Sequence, residues 1–129
     1  MKHRVLVIED NPLNLELIVD LLEAKDFSVL QARNAEEGLR LARDTGPDLI
    51  FMDLSLPGMD GLAATQRLKA DPATRPLPVI ALTAHAMKGD EAAALAAGCD
   101  GYLTKPIDTR TFPDQVTRFI SSPQNRYAN

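Results

Sequence analysis

Short runs of apolar residues recur along the chain and predict β-strands. Three of them, residues 5–8, 49–52 and 79–82, are apolar throughout rather than alternating with polar residues. Unbroken runs of this length are typical of parallel strands covered on both faces, although such runs alone also suit buried helix. A shorter run at residues 102–103 and a weaker one at 27–32 complete a set of five predicted strands.

The segments between these runs have the apolar spacing of helices. Within residues 13–25, large aliphatic side chains lie four residues apart and form one apolar stripe. Asn34, followed three residues later by Glu37, forms a candidate capping box for a second helix. The dipeptide Gly46-Pro47 supplies a stop signal for that helix.

Three further helices are predicted in the second half of the chain. Asp60 is expected to cap a helix over residues 61–70, and Asp90 is expected to cap one over residues 91–97. A fifth helix is marked by the spacing of four apolar side chains, Phe112, Val116, Phe119 and Ile120. Because Pro113 falls in its first turns, we expect this helix to begin late or to kink.

The predicted elements repeat a strand and a helix five times, with short connections. Parallel strands joined by right-handed helical crossovers give an α/β fold, here a doubly wound five-stranded parallel sheet with five helices. We expect a single domain over residues 1–121 and a polar tail over residues 122–129, with no effector domain after it.

Composition narrows the class of partner and the compartment. The 129 residues carry a net charge of -4, and the scattered Lys and Arg residues argue against a nucleic-acid surface. No apolar segment has the length of a signal peptide or a membrane span, and the single cysteine, Cys99, rules out an internal disulfide. We therefore expect a cytoplasmic protein that binds other proteins, with neither nucleic acid nor membrane as a partner. We expect Cys99 to be a small buried or half-buried apolar residue.

Polar residues close four of the predicted strands. Glu9 and Asp10 follow the first strand, Asp53 the third, Thr83 the fourth and Lys105 the fifth. The carboxyl ends of the strands border the binding crevice of an open α/β sheet. These five side chains are therefore expected to share one pocket.

The expected pocket requires a cation, because three carboxylates that lie close together repel one another. An all-oxygen site of this kind suits Mg²⁺, with Mn²⁺ as an acceptable substitute. With the metal in place, the other groups suit phosphoryl transfer. Lys105 and Thr83 would hold phosphoryl oxygens, and Asp53 would supply the attacking oxygen.

Four sequence blocks resemble the receiver domain of two-component response regulators, the CheY-like family, over nearly the whole chain. The blocks are Glu9-Asp10, residues 51–61, Thr83-Ala84 and residues 101–106. The resemblance implies the flavodoxin-like strand order 2-1-3-4-5. It also implies that Asp53 receives a phosphoryl group from the phosphohistidine of a histidine kinase or phosphotransfer protein, and that the chain signals by binding a downstream protein.

The resemblance also implies a role for each residue of the expected pocket. The implied Mg²⁺ ligands are Glu9, Asp10, Asp53 and the backbone carbonyl of Ser55. Lys105 corresponds to the ammonium group of the family, and the bond before Pro106 is expected to be cis. Thr83 corresponds to the hydroxyl that moves to the phosphoryl group, and Tyr102 to the aromatic side chain that turns inward behind it.

Residues 83–90 further resemble single-domain regulators of the DivK type and receivers attached to hybrid histidine kinases. Such proteins relay phosphoryl groups without binding DNA. The chain departs from the family pattern at two positions. Pro113 falls on the fifth helix, which belongs to the signalling surface of the family, and Glu9 replaces the Asp that is often first in the acidic pair.

Other functions stay open at this point. A haloacid-dehalogenase-like aspartyl-phosphate hydrolase would also use Asp53 and Mg²⁺, but it needs a second acid where this chain has Ser55. A flavodoxin-like cofactor binder or a degenerate adaptor could share the fold. His85 is an alternative phosphoacceptor or metal ligand. We expect instead that Ser55 and His85 tune how water reaches the acyl phosphate.

Overall fold

The computed structural model describes residues 3–56, 58–83 and 88–121. Five strands and five helices alternate along the chain. The strands are β1 (Arg4–Ile8), β2 (Ser28–Ala32), β3 (Leu49–Asp53), β4 (Val79–Thr83) and β5 (Gly101–Thr104). The helices are α1 (Pro12–Ala24), α2 (Ala35–Thr45), α3 (Gly61–Ala70), α4 (Lys88–Ala97) and α5 (Phe112–Ser121).

All five strands are parallel and form one sheet in the order β2-β1-β3-β4-β5. This confirms the predicted fold class and strand order. In the sheet register Asp53 pairs with Leu82, and Thr83 pairs with Thr104. The strands therefore end at a common edge of the sheet, and the residues of the predicted pocket lie at this edge.

Two apolar clusters cover the two faces of the sheet. One contains side chains of α1 and α5, and the other contains side chains of α2, α3 and α4. All five residues of the central strand β3 are buried, which explains its unbroken apolar run. Cys99 is buried as expected, with 2% of its surface exposed.

Side-chain caps fix the starts of three helices. The Asn11 carboxamide oxygen accepts hydrogen bonds from the amides of Leu13 and Asn14, so α1 begins one residue earlier than predicted, at Pro12. The predicted caps Asn34 and Asp60 are confirmed, since each accepts a main-chain N–H from the first turn of its helix.

Two helix starts differ from the predictions. The structure places Asp90 inside α4, which already begins at Lys88, so the prediction that Asp90 is the cap was wrong. An acidic residue is stabilised in the first turn as well as at the cap, so its presence does not mark the first residue. Helix α5 begins at Phe112 and has Pro113 in its first turn. The N–H groups of a first turn have no partner within the helix, so a proline there costs no hydrogen bond. The expected late start is therefore absent.

None of the helices in the described part of the chain is both long enough and apolar enough to cross a membrane.

Candidate acidic site at the carboxyl edge of the sheet

The carboxyl ends of β1, β3 and β5 bring acidic and basic side chains together at one edge of the sheet. Glu9 follows β1 directly, Asp53 is the last residue of the central β3, and Lys105 follows β5 directly. Main-chain hydrogen bonds fix these ends, from the Leu54 amide to the Leu82 carbonyl at 3.0 Å and from the Lys105 amide to Thr83 at 2.7 Å. The sheet therefore places these three predicted pocket residues at one edge.

The Lys105 ammonium lies between two buried carboxylates. Its Nζ is 2.7 Å from Oε1 of Glu9 and 3.2 Å from Oδ1 of Asp53. The exposed fraction is 0% for the Glu9 side chain, 2% for Asp53 and 16% for Lys105. One ammonium thus faces two carboxylates with little solvent to screen them, which leaves negative charge uncompensated.

Burial and mutual interaction shift the protonation of this group. Burial is the main cause that raises the pKa of Glu9, and the Asp53 carboxyl raises it further against the opposing effect of Lys105. Burial alone would lower the pKa of Lys105, but Glu9 and Asp53 together outweigh burial and raise it. The pocket therefore holds Lys105 charged and favours an additional cation.

Main-chain N–H groups orient the two carboxylates. The amide of Asn11 donates to Oε2 of Glu9 at 3.2 Å, and the amide of Ser55 donates to Oδ1 of Asp53 at 3.0 Å. Sequence reasoning missed these donors because a main-chain amide leaves no residue-specific signal. The carboxylates are thus positioned by the loops that follow β1 and β3.

The residues present fit a divalent cation. Glu9, Asp10 and Asp53 each offer a carboxylate oxygen, and these three oxygens lie within 4.8 Å of one another. Asp10 is half-buried, so one side of the group faces solvent. Oε1 of Glu9 has its ion pair with Lys105 but no hydrogen bond of good geometry within the described part of the chain. Buried oxygen ligands of this kind suit Mg²⁺.

Thr83 and Tyr102 lie at the same edge of the sheet. Thr83 is 4% exposed and is the last residue of β4, next to the strand that carries Asp53. Tyr102 is half-buried on β5 and its hydroxyl interacts with Glu91 of α4. Burial and then this carboxylate raise the pKa of the Tyr102 phenol. The Glu91 carboxyl of α4 thus lies near the Tyr102 phenol of β5.

Some residues named from the sequence lie outside the described residues. These are Pro57, Ala84, His85 and Met87, together with the tail over residues 122–129. The expected roles of His85 as an alternative phosphoacceptor or as a tuning residue therefore stay predictions. The bond between Lys105 and Pro106 is cis, as expected.

Comparison with known proteins agrees with this geometry. The family model for the response regulator receiver domain matches residues 5–117. The polar-differentiation response regulator DivK of Brucella anthropi is 44% identical over 120 residues, which cover 93% of this chain and 98% of that protein. DivK of Brucella ovis is 43% identical over the same shares of the two chains.

Two solved structures of similar fold bear on the site. The receiver domain of the Pseudomonas aeruginosa sensor histidine kinase PA1611, which has a magnesium ion coordinated in its active site cleft, matches with a TM-score of 0.87 and 34% identity. The match covers 95% of this chain and 100% of that chain. The Saccharomyces cerevisiae complex of the phosphotransfer protein Ypd1 with the receiver domain of Ssk1 matches with a TM-score of 0.84 and 29% identity, covering 95% of this chain and 91% of that chain.

These comparisons give no support to a haloacid dehalogenase. The matches are instead to receiver domains, which is consistent with the strand order of the sheet and with the acidic pocket at its carboxyl edge. The family match spans most of the chain, and the relatives match over nearly their full length. This chain belongs to the response regulator receiver domain family and is a receiver domain of a two-component or phosphorelay system.

Proposed function

We propose that Asp53 is the phosphoacceptor of this receiver and takes its phosphoryl group from the phosphohistidine of a histidine kinase or phosphotransfer protein. The observation that carries the proposal is the geometry around Lys105. A buried Asp53 carboxylate ends the central strand and shares Lys105 with a second buried carboxylate, that of Glu9. A nucleophile, counter-charge and oxygen ligands for a metal are thus present in one pocket.

In the proposed transfer, the phosphoryl group moves from a histidine nitrogen of the donor to a carboxylate oxygen of Asp53. An Asp53 carboxylate oxygen attacks the phosphorus atom, and the phosphorus–nitrogen bond breaks with its electron pair going to the imidazole nitrogen. A donor protonated on its other ring nitrogen leaves as neutral histidine. Lys105, already 3.2 Å from Oδ1 of Asp53, would neutralise charge that builds on the phosphoryl oxygens.

Glu9, Asp10, Asp53 and the backbone carbonyl of Ser55 are the proposed Mg²⁺ ligands. The proximity of the three carboxylate oxygens and the magnesium ion reported for the PA1611 receiver support this assignment. When bound, Mg²⁺ would supply positive charge to phosphoryl oxygens, and Mn²⁺ is a proposed substitute. Among the three carboxylates, Asp10 is the half-buried one, whereas Glu9 and Asp53 are buried.

Thr83 and Tyr102 are the proposed switch residues. Thr83 is the last residue of β4, the strand next to the one that ends at Asp53, so it lies at the edge of the sheet where new negative charge would form. Tyr102 interacts with Glu91 on α4, so an inward turn of its ring would end that contact. New charge on Asp53 would in this way alter the surface formed by α4 and β5, which a downstream protein would bind.

The chain is a switch protein, and we propose that its own phosphorylation and dephosphorylation are the only reactions it catalyses. Ser55 occupies the position of the second acid that an aspartyl-phosphate hydrolase needs. The phosphotransfer protein bound to the Ssk1 receiver supports a phosphohistidine protein as the partner. We propose a cytoplasmic location for the chain, in the same compartment as that partner.

The test is phosphorylation by acetyl phosphate and Mg²⁺, followed by intact-protein mass spectrometry. Wild type should gain the mass of one phosphoryl group, and Asp53→Asn should gain none. Asp44→Asn, which changes an exposed aspartate of α2, is the matched control and should be phosphorylated as wild type is. Label on Asp53→Asn, or none on wild type, would refute the proposal. Sustained phosphate release from simple phosphomonoesters would favour a hydrolase.

A further inference from the structure

We propose that Gly61 is a positioning residue for Asp53. The inference rests on the proposed function, because it explains how the Asp53 carboxylate is held in the direction that phosphoryl transfer requires. Gly61 is the first residue of α3, and it packs against the main chain of the residue that carries this carboxylate.

The contact leaves no room for a side chain at Gly61. A Cβ atom built there would overlap the carbonyl oxygen of Asp53. It would also lie 2.8 Å from the Cα of Leu54 and 3.0 Å from the carbonyl carbon of Asp53. All three neighbours are backbone atoms, so no side chain can rotate away to relieve the overlap.

Close approach, rather than backbone conformation, accounts for glycine at this position. Gly46 and Gly58 have φ angles of 58° and 74°, which other residues rarely adopt. Gly61 is absent from the residues with positive φ in the described part of the chain. Glycine is also a poor helix former. Its presence at the start of α3 is therefore explained by the main chain that it touches.

Both sides of this contact are held in place. On the helix side, Oδ1 of Asp60 accepts the amide of Ala63 at 2.8 Å, and the buried Thr65 hydroxyl donates to the Gly61 carbonyl at 2.8 Å. On the strand side, β3 is hydrogen-bonded to β1 and β4. A group added between two fixed elements must displace one of them.

Displacement of the strand side would reach the site directly. The overlapped carbonyl belongs to Asp53 itself, whose Oδ1 accepts the Ser55 amide and lies 3.2 Å from Nζ of Lys105. A shift of about 1 Å in a reacting group can lower a rate by about a hundred-fold. Gly61→Ala should therefore slow phosphorylation by roughly ten- to a hundred-fold at saturating Mg²⁺ and acetyl phosphate.

Two measurements on Gly61→Ala test the proposal. The first is the NMR chemical shift of the Ser55 amide, which reports its hydrogen bond to Asp53 without metal or phosphodonor. The second is the phosphorylation rate constant at saturating donor. Asp60→Ala is a second variant, which loosens the first turn of α3 by removing its cap, without adding an atom at the contact. It should change both quantities in the same direction and by less.

Asn34→Ala is the matched control, because it removes the equivalent cap of α2 and should cost similar stability. It should leave the Ser55 amide and the rate constant near wild type. The proposal would be overturned if Gly61→Ala had the same Ser55 chemical shift and the same rate constant as Asn34→Ala. The added methyl group would then have displaced α3 alone. If Gly61→Ala does not fold, the same comparison between Asp60→Ala and Asn34→Ala decides it. Failure of wild type to accept phosphate refutes the proposed function, while the Ser55 shift still decides the role of Gly61.

Discussion

At the scale of single residues, Lys105 supplies the positive charge that opposes the Glu9 and Asp53 carboxylates. It is the ammonium that lies within 4.0 Å of Glu9 and Asp53 among the described residues. Removing one partner of a buried ion pair strands the other charge, and this costs more than the pair itself contributes. Lys105 therefore acts on stability as well as on phosphoryl transfer, and the two effects can be separated by adding metal.

Lys105→Met should lower the free energy of unfolding by about 3–5 kcal/mol in the absence of Mg²⁺, because Glu9 loses its counter-charge in a buried site. Mg²⁺ should then stabilise the variant more than wild type, since the metal no longer competes with an ammonium. Urea unfolding with and without Mg²⁺ measures both effects. Lys25→Met is the control, because its pair with Asp114 is exposed and should contribute little. Equal responses of Lys105→Met and Lys25→Met would contradict this account.

Cys99 gives the chain a separate dependence of stability on pH. Burial raises the pKa of its thiol, with a smaller opposing effect from the Thr65 hydroxyl. As pH rises past the ordinary thiol pKa, the unfolded chain loses its proton first, so the free energy of unfolding should fall. Urea unfolding at neutral and alkaline pH should show this fall in wild type and a smaller one in Cys99→Ala. The same slope in both proteins would exclude Cys99 as its source.

At the scale of elements, features that depend on neighbouring residues in the sequence were predicted well, whereas contacts between elements were not predicted. The caps Asn34 and Asp60 were predictable because a side chain and an amide three residues away decide them. Asp90 was assigned wrongly because an acid is favourable anywhere in the first turn. The Gly61 contact depends on how closely α3 approaches β3, and no local pattern in the sequence encodes that distance.

Helix α1 presents an exposed apolar pair beside the site. Leu13 is 76% exposed and Leu17 is 39% exposed, one turn apart on the helix that begins two residues after Asp10. An exposed apolar pair next to a reacting group is suited to docking a protein donor. Acetyl phosphate needs no such surface. The two donors should therefore respond differently to changes on α1.

The double variant Leu13→Ser and Leu17→Ser should lose at least about ten-fold in the rate of transfer from a phosphorylated phosphotransfer protein, because each leucine buried on docking contributes roughly 1.5–3 kcal/mol. Labelling by acetyl phosphate should stay at the wild-type rate. Leu95→Ser, which changes a leucine of α4 that is as exposed as Leu17, is the control for lost apolar surface. Equal loss with both donors would mean that α1 affects the pocket itself.

At the scale of the whole molecule, the two ends of the sheet differ in charge balance. At the amino end, Lys69 Nζ lies 3.0 Å from Asp100 Oδ2 and also donates to the carbonyl of Leu77, while the same Asp100 oxygen accepts the Val79 amide. Lys69 thus faces one carboxylate, and both side chains also bond to main-chain groups. At the carboxyl end, one ammonium meets two buried carboxylates and a third nearby. The chain thus concentrates unfavourable charge at the edge where we propose it functions.

This imbalance predicts that the proposed phosphoacceptor destabilises the protein when metal is absent. Asp53→Asn keeps an oxygen for the Ser55 amide and leaves Lys105 paired with Glu9 alone, so repulsion between two buried carboxylates disappears. In EDTA the variant should melt roughly 3–5 °C above wild type, for a gain on the order of 1 kcal/mol. Mg²⁺ should raise the melting temperature of wild type more than that of the variant, because the variant offers one carboxylate fewer. Calorimetry in EDTA and in Mg²⁺ measures all four values, with Asp44→Asn as the exposed control. If wild type were instead more stable than Asp53→Asn in EDTA, Lys105 alone would compensate the charge of the Glu9 and Asp53 carboxylates. The argument that the pocket needs a bound cation would then lose its physical basis.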